Sequence, residues 1–207
     1  MGEPTVGARQ RRGISLVSAL RGPICSAARE YGVPSELIAV ILMHESQASE
    51  RRLYRFLVGS AEMGERAQAS LQGDSASIGV AQMRIGRARQ LRRAYPRLRV
   101  ADDVIDDLLM PSSAVRYLAA NLRQIRNELS AFLAREGASL TREQEIDMLA
   151  LGYNIGWENL RDRNLRDPTF GSDIPARVET IRSRSQYLRL TTVYLQAVRP
   201  LLVGSLF

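Results

Sequence analysis

Residues 37–46 read Leu37-Ile38-Ala39-Val40-Ile41-Leu42-Met43-His44-Glu45-Ser46. The apolar side chains leave a helix over this stretch without a polar face, and a helix that is apolar on every side is buried on every side. Pro34 and Ser35 favour a helix start just before the stretch. We therefore predict a core helix over residues 36–46, with the carboxyl group of Glu45 at its C-terminal end.

The rest of the chain shows a mostly helical pattern that glycine and proline divide into segments. Helices are predicted over residues 14–20, 24–31, 80–95 and 175–198. A long amphipathic helix is predicted from Pro111, with its apolar residues at helical spacing: Val115, Leu118, Leu122, Ile125, Leu129 and Phe132. Thr141 followed by Gln144 is typical of a capping box at the start of the next helix.

Residues 47–79 are less regular. Leu53, Phe56 and Leu57 indicate a short helix, and residues 61–69 indicate another. Residues 72–79 are rich in turn-forming side chains and indicate a turn region with a short β-hairpin. The elements together predict one all-α domain over residues 14–207, with a small irregular or β-hairpin insert.

Residues 1–13 are polar and rich in glycine and arginine, which predicts a flexible N-terminal arm. The arm has no apolar region followed by a cleavage site of small residues, so it does not resemble a signal peptide. No apolar run in the chain reaches the length that a transmembrane helix needs.

The chain has 207 residues, a net charge of +7, and arginine as its only strongly basic residue. Two explanations of the missing lysine stay open: a GC-rich coding sequence, or a preference for anionic polymers. Cys25 is the only cysteine, which excludes an intrachain disulfide. The chain shows neither a cluster of histidines and cysteines nor a phosphate-binding glycine loop, so we expect no metal and no cofactor.

Three short segments lie far apart in the sequence. They are Ile41-Leu42-Met43-His44-Glu45-Ser46, Ser77-Ile78-Gly79-Val80-Ala81-Gln82-Met83 and Ala150-Leu151-Gly152-Tyr153-Asn154-Ile155-Gly156. In this order they resemble the three motifs of soluble lytic transglycosylases and goose-type lysozymes. Those motifs are an apolar helix ending in Glu-Ser, a Gly-Leu-Met-Gln-like turn into a helix, and an Ala-Tyr-Asn-Ala-Gly-like helix end. The resemblance covers about residues 24–188.

The resemblance implies an α+β lysozyme-like domain whose insert lies beside the substrate cleft. It implies cleavage of the β-1,4 bond between N-acetylmuramic acid and N-acetylglucosamine in peptidoglycan, with Glu45 as the acid. It also implies substrate-binding roles for Ser46, Gly79, Gln82, Tyr153, Asn154 and Tyr187, and a second acid near the groove at Glu179. Each of these has an ordinary structural alternative: a turn glycine, a core tyrosine, a helix-ending asparagine or a solvated helix face.

Physical chemistry supports the role of Glu45 independently of the resemblance. Glycoside cleavage needs a carboxylic acid that is still protonated near neutral pH. Burial against apolar side chains raises the pKa of a carboxyl group, and the partial negative charge at a helix C-terminus acts in the same direction. The alternative is an ordinary exposed carboxylate just past a helix end.

The sequence departs from the family pattern in three places. The second motif has Val80 and Ala81 in place of Leu-Met, and more residues separate Glu45 from Gly79 than goose-type lysozymes usually have. Arg84 stands where goose-type lysozymes have an aspartate. Asp74 matches either the other goose-type aspartate or a turn residue that bonds its own backbone.

The leading hypothesis is therefore a lytic transglycosylase in which Glu45 is both acid and base. One alternative is a goose-type hydrolase that uses Asp74 as its second carboxylate. Another is an inactive helical domain that binds glycan, or that binds nucleic acid through the arginines of residues 84–93. Because aromatic side chains are only 6% of the chain, few are present to stack on bases, and we expect no nucleic acid partner.

Peptidoglycan glycan strands are the expected partner, and the expected place of action is the bacterial cell wall, in the periplasm or outside the cell. Without a visible signal peptide, delivery by phage lysis, by a specialised secretion system or within a larger chain all stay open. A cognate inhibitor or immunity protein is a further expected partner if the chain is an antibacterial effector.

Overall fold

The computed structural model describes residues 7–48 and 61–202. The described part is mostly helical with one small two-stranded sheet, so the fold-class prediction is confirmed. Its helices are α1 (Ala8–Ala19), α2 (Arg21–Tyr31), α3 (Ser35–Ala48), α4 (Ala61–Gln72), α5 (Ile85–Ala94), α6 (Val104–Leu109), α7 (Pro111–Arg135), α8 (Arg142–Ile155), α9 (Trp157–Leu160), α10 (Ile174–Arg184) and α11 (Gln186–Leu202). The helix predicted around Leu53, Phe56 and Leu57 lies outside the described residues.

The described residues form two compact units. The first contains the chain up to Ala120 together with the segment from Ala197, and the second contains Asn121–Gln196. The sequence pattern alone predicts a single domain over residues 14–207. No described helix is both long enough and apolar enough to cross a membrane.

Helix α3 is the centre of the first unit. Each side chain from Leu37 to Met43 is 0% exposed, as the apolar run predicts. Its main neighbours are α1 and α2, which pack along it. The predicted core helix is confirmed, and Glu45 lies in its last turn.

Helix α1 begins at Ala8 and not at Ile14, so the predicted flexible arm is helical from residue 8 onward. Gly13 lies inside this helix and faces the C-terminal end of α3. A Cβ atom at Gly13 would lie 3.2 Å from Met43 Cγ and 3.3 Å from Ser46 Oγ. The glycine therefore permits close packing of the two helices beside Glu45, where the sequence suggested only a flexible residue.

The second motif forms a β-hairpin where the sequence predicted a helix from Val80. Strands β1 (Ser77–Ile78) and β2 (Met83–Arg84) pair in antiparallel register, with Ser77 opposite Arg84 and Ile78 opposite Met83. The loop between them has positive φ at Gly79 and at Gln82, which a helix cannot accommodate. Helix α5 starts only at Ile85.

Asp107 holds the segment between α5 and α6 in place. Its side chain is 0% exposed and accepts hydrogen bonds from the backbone N–H of Val100 and Ala101, at 3.1 and 2.7 Å. The Tyr117 hydroxyl donates to its other oxygen at 2.8 Å. A buried carboxylate with several donors is strongly held, and this one fixes the approach to α6.

The second unit is organised around α8. The predicted capping box is present, because Thr141 and Gln144 exchange side-chain-to-backbone hydrogen bonds. Gln144 Nε2 also donates to Glu179 of α10 at 3.0 Å. The buried Asp147 of α8 pairs with Arg182 of α10 at 2.6 Å. These bonds fix the orientation of α8, which carries the third motif at its C-terminal end.

Candidate active site

Glu45 is the candidate acid, and the fold gives it an apolar environment. It lies in the last turn of α3, is partly buried, and follows seven side chains that have no exposed surface. Desolvation by burial raises the pKa of Glu45 from its ordinary value of 4.5 to about 7. Near neutral pH this carboxyl group is therefore partly protonated, which is the state that a proton donor needs.

The residues beside Glu45 do not compete with it for this role. Burial lowers the pKa of His44 to about 4, so the imidazole is neutral near pH 7 and carries no extra proton to give away. Ser46 is buried, and its hydroxyl donates to the Met43 carbonyl at 2.8 Å. Ser46, predicted to bind substrate, thus directs its hydroxyl to a carbonyl of its own helix.

The raised pKa makes a prediction about stability. Between pH 4.5 and about 7 the unfolded chain loses the Glu45 proton before the folded chain does, so folding stability falls as the pH rises through this window. Glu45→Gln never ionises. We expect its free energy of unfolding, relative to wild type, to increase by about 3 kcal/mol between pH 4 and pH 8.

Urea unfolding of both proteins at the two pH values checks this result. The His44 titration, which acts in the opposite direction, is common to both proteins and cancels in the difference. An equal difference at pH 4 and pH 8 would show that Glu45 has an ordinary pKa.

Gly79 and Gln82 are brought into direct contact at the tip of the hairpin. The Gln82 backbone N–H donates to the Gly79 carbonyl at 3.0 Å, and Gln82 Nε2 donates to the same oxygen at 2.8 Å. Gly79 has φ of +74°, and a Cβ atom there would lie 2.0 Å from the Leu108 carbonyl oxygen. Glycine is therefore required by packing against α6, in addition to any approach of a sugar.

Glu65 is a site residue that the sequence analysis missed. It lies on α4, is 4% exposed, and accepts a hydrogen bond from the Gly79 backbone N–H at 2.8 Å. One signal was available in the sequence. Glu65 is one helical turn before Ala69, and both face the interior, so helical periodicity places this acid on the inner face of α4.

Asp74 occupies an exposed turn. It lies in the 3₁₀ turn Gly73–Ser75, and its carboxylate forms an ion pair with Arg89 of α5. Gly86 allows α5 to approach this turn closely, since a Cβ atom there would lie 3.1 Å from Asp74 Cβ. Arg84 is exposed at the end of β2.

The remaining predicted residues belong to the second unit. Tyr153 is partly buried and Asn154 is exposed near the end of α8, and Tyr187 is partly buried in the first turn of α11. Glu179 is exposed and accepts hydrogen bonds from Gln144 and Arg182. Those bonds lower the pKa of Glu179, so it is ionised at neutral pH and is unsuited to donate a proton.

Within residues 7–48 and 61–202, no group of three or more histidine, cysteine, aspartate or glutamate side chains is arranged to hold a metal ion. Comparison with protein-family models, with curated proteins and with solved structures gave no match for this chain. The function is therefore argued from the residues and their geometry.

Proposed function

We propose that this protein cleaves the glycan strands of bacterial peptidoglycan as a lytic transglycosylase. The observation that carries the proposal is the state of Glu45, a carboxyl group at the end of a buried helix with a pKa of about 7. A general acid works best when its pKa lies near the working pH. The second support is the order of the three motifs along the sequence, the first of which contains Glu45.

Glu45 has two tasks in the proposed reaction. It first gives its proton to the oxygen that links N-acetylmuramic acid to N-acetylglucosamine, and the bond from the muramic C1 atom to that oxygen breaks. The resulting carboxylate then takes the proton of the muramic 6-hydroxyl. The 6-oxygen bonds to C1 and closes a 1,6-anhydro ring, so that Glu45 ends the cycle protonated.

A residue that donates and then accepts a proton must populate both its protonated and its ionised form near the working pH. A pKa of about 7 provides this near neutral pH. An ordinary carboxyl group, with a pKa near 4.5, would be almost fully ionised and would be a poor donor.

The surroundings of Asp74 and Glu65 favour this route over hydrolysis. Hydrolysis usually needs a second carboxylate that activates a water. Asp74 is exposed and paired with Arg89, and Glu65 is 4% exposed with the Gly79 N–H bound to its oxygen. Arg89 therefore engages the Asp74 carboxylate and the Gly79 amide engages Glu65, so neither group is well placed to contact a water at the sugar.

The proposed substrate lies in the cell wall, so the protein would act in the periplasm or outside the cell, with glycan strands as its partner. An inhibitor or immunity protein would be a further partner if the chain is an antibacterial effector.

Mass spectrometry of the products released from purified peptidoglycan tests the proposal. We expect muropeptides with a 1,6-anhydro end, lighter by one water than hydrolysed products. Release of no muropeptides would contradict the proposed function. Reducing muramic ends would preserve the substrate but change the mechanism to hydrolysis.

Asp74→Asn is expected to leave the rate within a few-fold of wild type, because its carboxylate is bound to Arg89 at the surface and a turn accommodates asparagine as readily as aspartate. The rate of turbidity loss of a peptidoglycan suspension measures this. Arg89→Gln removes the same ion pair from the other side and is the matched control. A collapse of activity in Asp74→Asn alone, together with reducing ends in the wild-type products, would make Asp74 the base of a hydrolase.

A further inference from the structure

We propose that Glu65 is a positioning residue of the proposed active site, whose carboxylate holds the Gly79 amide and thereby fixes the hairpin loop, residues 79–82, that presents Gln82. The proposal rests on the proposed function for its effect on catalysis. The holding of the loop itself stands on geometry alone.

The loop is held from two sides at Gly79. On one side the buried Glu65 of α4 accepts the Gly79 N–H at 2.8 Å. On the other side the α-carbon of Gly79 packs against the Leu108 carbonyl of α6, at a place where a Cβ atom would lie only 2.0 Å from the oxygen. A buried backbone N–H that loses its acceptor is costly because no water replaces the bond, so this contact is well suited to fix a backbone position.

Gln82 depends on Gly79 for its own conformation. It is the only non-glycine residue with positive φ in the part of the chain described, at +46°. Its backbone N–H and its side-chain Nε2 both donate to the Gly79 carbonyl. Gln82 therefore donates to the Gly79 carbonyl, and the Gly79 amide in turn donates to Glu65.

A non-glycine residue keeps an unfavourable backbone conformation only where its surroundings over-determine it, and such residues cluster at ligand-binding sites. The hydrogen bonds to Gly79 provide that constraint for Gln82. Gln82 is the residue of this loop that the family resemblance assigns to the sugar. Glu65 therefore acts on the substrate through the loop and does not touch it.

The burial of Glu65 separates this role from direct chemistry. A general base must contact the water or hydroxyl whose proton it removes. At 4% exposure, and with a backbone amide bound to Oε2, the Glu65 side chain faces protein and not a sugar-binding surface. Its effect is expected on the geometry of the loop, with no change in the reaction products.

Two substitutions at Glu65 test this role. Glu65→Gln keeps an oxygen that can accept the Gly79 N–H but replaces the ionisable carboxyl group by an amide, whereas Glu65→Ala removes the acceptor. We expect Glu65→Ala to lower kcat/KM on peptidoglycan roughly ten- to hundredfold, the scale of a small misplacement of a binding group. Glu65→Gln is expected to stay within a few-fold of wild type, with 1,6-anhydro products in every case.

Glu136→Ala is the control, because Glu136 is an exposed glutamate just beyond the end of α7. It is expected to cut at the wild-type rate. Assays are run below the unfolding midpoint of each variant, and circular dichroism checks the fold.

Amide hydrogen exchange at Gly79, followed by NMR, tests the loop without any need for activity. We expect exchange at Gly79 to be at least about tenfold faster in Glu65→Ala than in wild type, and close to wild type in Glu65→Gln. If Glu65→Ala does not fold, Glu65→Gln still tests the proposal through its rate and its Gly79 exchange.

The outcomes separate the two proposals. A wild-type protein that releases no muropeptides contradicts the proposed function, and Gly79 exchange then decides whether Glu65 holds the loop. The Glu65 proposal is overturned by wild-type Gly79 exchange or wild-type cutting in Glu65→Ala. It is equally overturned if folded Glu65→Gln loses as much activity as Glu65→Ala, since an acceptor oxygen for Gly79 would then not be what the reaction needs at this position.

Discussion

Glu45→Gln is expected to reduce the release of muropeptides from peptidoglycan by roughly a thousandfold or more, because it removes the only proton that the proposed reaction transfers. The amide has nearly the shape of the protonated carboxyl group, so α3 and its packing should be unchanged. The rate is measured by turbidity loss and by mass spectrometry of the products. Circular dichroism and binding of peptidoglycan fragments show whether the fold and the substrate site survive.

Glu36→Gln is the matched control for this experiment. Glu36 lies in the first turn of the same helix, at the opposite end from Glu45. We expect it to cut within a few-fold of wild type. Activity of Glu45→Gln within a few-fold of wild type would contradict the catalytic assignment, whatever the result at Glu36.

The position and environment of Glu45 could be predicted because they follow from local sequence. Seven consecutive apolar residues specify a helix that is buried on every side, and the acid at its end is desolvated as a consequence. The capping box at Thr141 and the apolar spacing of the long helix α7 are likewise local signals, and both predictions are confirmed.

The start of α1 and the extent of the hairpin, which continues past Gly79 to Arg84, could not be predicted, because both depend on contacts that are distant in sequence. Gly13 suggests a flexible arm until Met43 and Ser46 are placed against it. Residues 80–84 have the composition of a helix start. In the structure the backbone has positive φ at Gly79 and Gln82 and turns into a hairpin instead. Tertiary packing outweighs local sequence preference at both places, extending a helix at α1 and replacing one after Gly79.

The hydrogen-bond and ion-pair partners of Asp74 and Glu65 could not be predicted either. Asp74 lies in a turn by its sequence, as the structure shows, but its ion pair with Arg89 is set by the packing of α5 on that turn. Glu65 has no motif around it. Its hydrogen bond with the Gly79 amide depends on the packing of α4 beside the hairpin.

The second large effect is expected at Gly79, where Ala should lower the free energy of unfolding by about 2–5 kcal/mol. A left-handed backbone conformation costs an alanine about 1–2 kcal/mol. The new Cβ atom would also lie 2.0 Å from the Leu108 carbonyl oxygen, so the loop or α6 must move. Such overpacking adds about 1–3 kcal/mol. Urea denaturation measures the loss, which is a large share of the stability of a typical domain.

Gly73→Ala separates the two causes. Gly73 also has positive φ, at +54°, but no atom lies within 4 Å of its added Cβ. It should therefore show the backbone cost without the clash and lose about 1–2 kcal/mol. If Gly79→Ala loses no more than Gly73→Ala, the loop has moved away from Leu108, and the displacement must also lengthen the hydrogen bond from Gly79 to Glu65. Peptidoglycan cleavage would then fall without any loss of stability beyond that of Gly73→Ala. Equal stability loss together with wild-type cleavage would show that neither the packing against Leu108 nor the position of the loop matters to the reaction.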